Sequence, residues 1–169
     1  MAEALLVLPC NRCVRLGDYS LCPNWRIVLR SVGDLVDYGL IDLAAIDSCK
    51  PGIVPWGEEK RLRWCDLYPS SDLYYRREPW RLEILYRNVL SDLRWLLARY
   101  KRIVYYVNVK AYREVLDRSR RVLGEAFLVP AGPPRNSPLS FKSRKNRDKL
   151  RGLLLELAGS KIKPVTGPP

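Results

Sequence analysis

LLVLPCN, residues 5–11, joins a short apolar run to turn residues. Leu5 to Leu8 are all apolar, as in a strand that helices cover on both faces. Pro9, Cys10 and Asn11 then end the run with residues typical of a turn. In an open α/β sheet, ligands bind in the crevice beyond the carboxyl ends of the strands. The segment therefore predicts a parallel sheet with a site at its carboxyl edge.

The order of strand, turn and helix recurs three more times along the chain. Further strands are predicted over 41–46, 103–107 and 126–129, and helices over 24–38, 79–100, 110–120 and 145–157. Residues 48–78 form a long irregular connection, which is typical of a functional segment or of one that conceals a short element. The pattern predicts an α/β fold, a three-layer Rossmann-like domain with a mainly parallel sheet of about four strands. Residues 1–159 are expected to form one domain, and 160–169 a flexible C-terminal tail.

The charge balance is strongly basic. Thirty lysines and arginines face eighteen acidic residues, a net charge of +12. A basic surface attracts nucleic acid through release of counterions, whereas the alternative is the charge-rich surface of a thermophile. The chain has no glutamine and no histidine, only one methionine, and thirteen prolines, which favours a heat-adapted source. Because ion-pair networks need nearly balanced charge, the excess favours a nucleic-acid partner.

Two absences in the sequence limit the function. Without histidine, neither a Ser-His-Asp triad nor a His-containing zinc site can form in this chain. A general base must then be a carboxylate, lysine, tyrosine or thiolate. No apolar run approaches the ~20 residues that cross a bilayer, and the N-terminus lacks the features of a signal peptide. We expect a soluble, cytoplasmic protein with no membrane contact.

The five cysteines leave three interpretations open. Cys10 and Cys13 form a CxxC pair, while Cys22, Cys49 and Cys65 are isolated. A structural zinc site usually combines two close pairs, so no metal is predicted. Disulfides occur in hyperthermophile proteins, and buried thiols are common in cores. The redox state of these cysteines stays undecided at this point.

Three predicted strands end in candidate functional residues. Cys10 follows the first strand, and Arg12 and Arg15 beside it would lower the pKa of its thiol and make it nucleophilic. Asp47 ends the second strand and is a candidate proton acceptor. Asn108, after the third strand, is a candidate for substrate binding together with Asn11.

Two further groups of residues suggest contact with nucleic acid. Aromatic residues, Trp56 and Tyr68 among them, alternate with lysines and arginines in the long connection, a composition suited to stacking on exposed bases. The alternative is that these rings form a satellite core. The last predicted helix begins with a cluster of cations, where the helix dipole makes them unfavourable without an anion. The residues expected to bind phosphate are Arg12, Arg15, Lys142, Arg144, Lys145 and Arg147.

Short motifs spread along the chain resemble the core domain of archaeosine synthase, the archaeal relative of tRNA-guanine transglycosylase. They are Pro9-Cys10-Asn11, Gly52-Ile53-Val54-Pro55, Tyr68-Pro69, and Trp80 with Glu83, and the similarity extends from about residue 5 to 157. The family signature begins Pro-Cys-Ser and continues with a lysine and a histidine. Here Val14 stands at the spacing of the lysine and Cys22 at that of the histidine.

The resemblance implies tRNA binding linked to modification of a 7-deazaguanine base, whose nitrile the family converts to an amidine. It implies no cofactor, and a separate modification enzyme is a candidate partner. Because both signature side chains are absent, it is open whether the chain is an enzyme; Cys10 and Asp47 are its candidate catalytic residues. Two alternatives are a nucleic-acid-binding module without catalysis and a glycosylase-type enzyme that uses Asp47 on a flipped base.

Overall fold

A computed structural model describes residues 2–10, 18–48, 50–58, 75–132 and 141–159. The predicted tail, 160–169, therefore lies outside the described residues. The strands are β1 Ala4–Pro9, β2 Ile41–Asp47, β3 Gly52–Pro55, β4 Arg102–Tyr105 and β5 Leu128–Pro130. The helices are α1 Pro23–Asp37, α2 Pro79–Leu97, α3 Lys110–Leu123 and α4 Arg144–Leu157. Helices follow β1, β3, β4 and β5, while β2 leads directly into β3, and a short 3₁₀ helix at Tyr19–Leu21 precedes the first helix.

The sheet has five strands in the order β3-β2-β1-β4-β5. β1 lies at its centre and pairs in parallel with both β2 and β4, and β4 pairs in parallel with β5. β3 runs antiparallel to β2 at one edge. The predicted α/β fold with a mainly parallel sheet is confirmed. The prediction of about four strands is wrong, because β3 is a short fifth strand inside the connection predicted over 48–78.

Helices cover both faces of the sheet because the central strand is apolar on both. Leu6 and Leu8 of β1 point into a core cluster with α1 and α4. Leu5 and Val7 point into a second cluster, with α2 and α3. All four leucine and valine side chains are at most 1% exposed. In the described part of the chain, no helix is both long enough and apolar enough to pass through a membrane.

Two helix ends show how local sequence sets the boundaries. Helix α1 begins at Pro23, one residue before the predicted start at residue 24, and Cys22 takes the capping position without a side-chain hydrogen bond. Proline is well tolerated there because its missing N–H would have no partner in the helix. Gly39 follows the helix with a φ of 66°, a left-handed conformation that glycine adopts without strain.

The edge strand β3 is anchored to α2 by side-chain contacts. Asp92 Oδ2 accepts the backbone N–H of Ile53 at 2.8 Å, and Asn88 Nδ2 donates to the carbonyl of Pro51 at 2.8 Å. A Cβ atom on Gly52 would lie 2.4 Å from Asp92 Oδ2, so only glycine fits at this position. The start of β3 is thus held by a helix as well as by β2.

Replacing Asp92 with asparagine is expected to stabilise the protein at neutral pH. Burial raises the pKa of Asp92 above its ordinary value, although the Ile53 N–H and Lys50 oppose the shift. The native state therefore binds more protons than the unfolded state just above pH 3.8, and stability falls as the pH rises. Asparagine keeps an acceptor for Ile53 without the charge. Urea unfolding of Asp92→Asn and of the wild-type protein measures this difference. The variant should have the higher free energy of unfolding at pH 7, and the difference should shrink below pH 4.

Asp34→Asn is the matched control because its pKa shifts in the opposite direction. The hydrogen bond from Arg151 holds the pKa of Asp34 below its ordinary value. Its contribution is present above pH 3.8 and is lost as the pH falls through the lowered value. Asp34→Asn should therefore weaken the protein at pH 7. A less stable Asp92→Asn protein at pH 7 would contradict the account of burial.

Candidate functional site

The carboxyl edge of the sheet holds a buried polar cluster. Cys10 directly follows β1, and its backbone N–H donates to the carbonyl of Ile46 at 3.0 Å, which continues the pairing with β2. Asp47 is the last residue of β2 and is 0% exposed. Six residues make up this carboxyl-edge cluster: Cys10, Tyr19, Asp47, Ser48, Tyr75 and Tyr112.

Asp47 is held by the 3₁₀ helix that precedes α1. The hydroxyl of Tyr19 donates to Asp47 Oδ2 at 2.7 Å, and the Tyr19 ring stacks on Trp25 with the ring centroids 5.0 Å apart. The indole N–H of Trp25 donates to the carbonyl of Pro9 at 3.0 Å. These contacts tie α1 to the ends of both β1 and β2. A buried carboxylate needs such a donor, because an unpaired buried charge is strongly unfavourable.

Hydroxyl groups connect Ser48 with the backbone of Cys10. Tyr75 donates to Ser48 Oγ at 2.6 Å, and Ser48 Oγ lies 2.7 Å from the Tyr112 hydroxyl. Tyr112 in turn donates to the carbonyl of Cys10 at 3.4 Å. If Tyr112 donates to Cys10, Ser48 must donate to Tyr112, and the chain of hydrogen bonds runs in one direction.

The electrostatics of the cluster keep Tyr112 protonated. Burial raises the pKa of Tyr112 well above its ordinary value, and Cys10, Tyr75 and Asp47 raise it further. Tyr112 therefore acts as a neutral hydroxyl group near both candidate catalytic residues. The structure thus brings Cys10 and Asp47 to one place around a shared tyrosine.

Asn108 lies at the same edge, in the turn between β4 and α3. Its Oδ1 atom is buried and has no hydrogen-bond partner among the described residues. Asn108 is therefore at the predicted edge, yet it is not part of the hydrogen-bonded cluster. The predicted site residues Asn11, Arg12, Arg15 and Tyr68 lie outside the described residues, as do Cys13, Cys49 and Cys65.

Trp56 lies away from the cluster, beyond the end of the antiparallel strand β3. Its backbone N–H donates to the carbonyl of Leu43, near the start of β2. The ring packs edge-on against Trp25 with the centroids 6.3 Å apart, its Nε1 donates to Asp18 at 3.3 Å, and it is 38% exposed. Trp56 is therefore linked to the cluster indirectly, through Trp25, which stacks on Tyr19.

The predicted phosphate-binding helix borders a groove lined with arginines. A cavity of about 550 Å³ lies between α1 and α4. Lys142, Arg144 and Lys145 are exposed at the start of α4, and Arg147 is half-buried. The residues that line this arginine groove are Arg30, Ser31, Asp34, Arg144, Arg147, Asp148 and Arg151.

Only part of the positive charge in the arginine groove is neutralised. Arg151 forms a two-point ion pair with Asp34, at 2.5 and 2.7 Å, and Arg144 lies 3.8 Å from Asp148. Arg147 donates to the backbone carbonyl of Ile27 at 2.9 Å, and its buried Nε has no hydrogen-bond partner in the described part of the chain. Within that part, neither Arg147 nor Arg30 has a carboxylate partner.

Sequence reasoning missed several residues of these sites. Tyr19 and Tyr112 reach the carboxyl-edge cluster from distant segments, and Arg30 belongs to a helix that the basic run did not implicate. The signal that could have indicated Arg30 as a groove residue is its position one helical turn before Asp34. Among the described residues, no group of three or more histidine, cysteine or acidic side chains is placed to hold a metal ion.

Comparison with known proteins supports the fold and nothing finer. No protein-family model and no curated protein matches the chain. A solved structure, AF0587, a protein of unknown function, is similar in fold, with a TM-score of 0.60 and 17% sequence identity. The match covers 91% of this chain and 45% of AF0587, so this chain spans less than half the length of that protein.

Proposed function

We propose that this chain binds RNA through the arginine groove and the exposed start of α4. The observation that supports this most is the presence of two arginines in one concave surface, Arg30 and Arg147, without carboxylate partners among the described residues. The guanidinium group presents paired donors that match the oxygens of a phosphate. A bound phosphate would neutralise the positive charge that Asp34 and Asp148 leave unbalanced in the groove.

The start of α4 extends the same positive surface. Its first turn contains no acidic residue, and Ser143 makes no side-chain capping bond. Cations in this position oppose the helix dipole by about 0.3–1 kcal/mol each. A phosphate bound there would meet the helix dipole, Lys142 and Lys145 together. The path of an RNA backbone is proposed to run from this helix start into the groove.

The RNA that we propose is tRNA, and the linked process is modification of a 7-deazaguanine base. This part rests on the resemblance of the sequence motifs to archaeosine synthase. The proposal covers RNA binding and base recognition near Cys10 and Asp47, and it excludes attack on a nitrile by the family lysine, since Val14 occupies that spacing.

Removing one cation of the arginine groove and one from the start of α4 is expected to weaken RNA binding and its dependence on salt. In Arg30→Ala/Lys145→Ala, two phosphate contacts are lost, so the slope of log K against log salt should become shallower by about 1.4–1.8. Fluorescence anisotropy of labelled tRNA over about 50–200 mM salt measures this slope. Both side chains are exposed, so folding should be unaffected.

Arg94→Ala/Arg121→Ala is the matched control because it removes the same charge from exposed positions on α2 and α3. An equal loss of affinity in both double variants would overturn the groove as the binding surface. Unrelated RNA and duplex DNA provide the test of the ligand. Equal affinity for all three nucleic acids would leave a general nucleic-acid-binding module and reject the assignment to tRNA.

A further inference from the structure

A second cavity lies at the amino edge of the sheet, opposite the carboxyl-edge cluster. Its volume is about 280 Å³. It opens where α1 and α2 end, beside the start of β2 and the end of β3. The residues that line this amino-edge cavity are Leu5, Val36, Asp42, Leu43, Pro55, Trp56, Glu58, Trp95, Leu96, Arg99 and Tyr100.

An exposed tryptophan gives this cavity an aromatic wall. Trp95, in the last turn of α2, is 64% exposed, whereas the ring of Trp56 packs against Trp25 and donates to Asp18. Burial of a large ring is favourable. The ring of Trp95 nevertheless stays largely in contact with solvent beside the cavity. Exposed indole rings beside a cavity are suited to stacking on a flat ligand.

The cavity also holds an acceptor and a donor that do not pair with each other. Glu58 and Arg99 both line it, and neither has an ion-pair partner in the ranges that the structure describes. The Arg99 guanidinium lies over the Tyr100 ring, 5.4 Å from its centroid. The hydroxyl of Tyr100 donates to Asp42 Oδ2 at 2.7 Å, so that oxygen already has a partner.

The two charged side chains determine which ligands fit this cavity. An apolar ligand would remove Glu58 and Arg99 from water without offering either a partner, which is costly. A ligand that offers acceptors to Arg99 and a donor to Glu58 satisfies both. A flat molecule with hydrogen-bond donors on one edge and acceptors on another therefore matches the lining.

We infer that the amino-edge cavity binds a purine base, and guanine fits best. Guanine offers O6 and N7 as acceptors, the pair that arginine contacts most often, and an exocyclic amine as a donor. In the inferred complex, Arg99 donates to O6 and N7, Glu58 accepts from the amine, and Trp95 stacks on the ring. This site is separate from the arginine groove and does not depend on the proposed function.

Binding of nucleosides tests the inference directly. Guanosine, adenosine and cytidine are titrated by calorimetry, since nucleosides lack the phosphate that the arginine groove would attract. Guanosine should bind most tightly and cytidine least. Because stacking on one aromatic ring accounts for about 1–3 kcal/mol per base, Trp95→Ala should weaken guanosine binding by about 5- to 160-fold. Glu58→Gln and Arg99→Ala should reduce the preference for guanosine over cytidine.

Trp80→Ala is the matched control because Trp80 lies on the same helix, is 57% exposed and does not line the cavity. A guanine-containing single-stranded oligonucleotide distinguishes the source of the base. Binding of the oligonucleotide alone, lost in Trp95→Ala, would assign the cavity to a base within nucleic acid. Failure of both ligands to bind, or equal losses in Trp95→Ala and Trp80→Ala, would overturn the inference. Neither result would affect the salt test of the arginine groove.

Discussion

Replacing Trp25 with alanine is expected to lower the free energy of unfolding by about 3–5 kcal/mol. Trp25 is 0% exposed and belongs to the core cluster beneath α1. Its ring stacks on Tyr19 and packs against Trp56, and its N–H satisfies the carbonyl of Pro9. The substitution therefore creates a cavity, leaves a carbonyl without its donor and removes the support of Tyr19 beside Asp47. Urea unfolding monitored by far-UV circular dichroism measures the loss.

Two other tryptophan variants separate the causes of this effect. Trp25→Phe keeps a ring and loses the N–H, so we expect a smaller loss of about 1–2 kcal/mol. Trp80→Ala, at an exposed position, should change stability by no more than about 0.5 kcal/mol. The expected loss for Trp25→Phe sets the threshold. If Trp25→Ala lowers the free energy of unfolding by less than about 1–2 kcal/mol, Trp25 is not the main link between α1 and the carboxyl edge.

Replacing Gly52 with alanine is expected to destabilise the protein by about 2–4 kcal/mol through backbone strain and the loss of a hydrogen bond. Gly52 has a φ of 152°, which L-residues rarely adopt, and an added Cβ would lie 2.4 Å from Asp92 Oδ2. Asp92 must then move, and the N–H of Ile53 loses its acceptor. Thermal and urea unfolding should both show the loss.

Gly33→Ala is the matched control, since a Cβ there meets no atom within 4 Å and the residue lies inside α1. It should stabilise the protein by about 0.5–1 kcal/mol. The double variant Gly52→Ala/Asp92→Ala removes the steric conflict and keeps the strain. If the double variant loses as much free energy of unfolding as Gly52→Ala and Asp92→Ala lose together, the contact between Gly52 and Asp92 is not the cause of the destabilisation.

The sequence predicts those elements whose apolar residues repeat locally. The run 5–8 lies within β1, and the stripe on residues 79–100 corresponds to α2, with boundaries that differ by a few residues. Strand β3 has only four residues, and its anchoring contact with Asp92 joins residues 39 positions apart. No local period can indicate such an element. The same applies to helix ends: α2 stops at Leu97, although Tyr100 packs into the same core cluster as the helix.

Some residues of the candidate sites could likewise be predicted from the sequence, and others could not. The rule for strand ends places Cys10 and Asp47 at one edge from sequence alone. Tyr112 meets Cys10 across 102 positions, and Arg147 meets Ile27 across 120 positions. These pairings depend on how helices pack on the sheet, which no short pattern encodes. Trp95 and Arg99 were missed for the related reason that an apolar stripe does not show which of its neighbours border a cavity.

The position of β1 in the sheet has a consequence for protein synthesis. The central strand leaves the ribosome before its partner β4, which follows about 100 residues later. At about 5–20 residues per second, that delay is about 5–20 s. Until then one edge of an entirely apolar segment remains open to other nascent chains, which is the situation that molecular chaperones relieve. Moving this segment to the C-terminus by circular permutation would shorten the exposure and should raise the soluble yield.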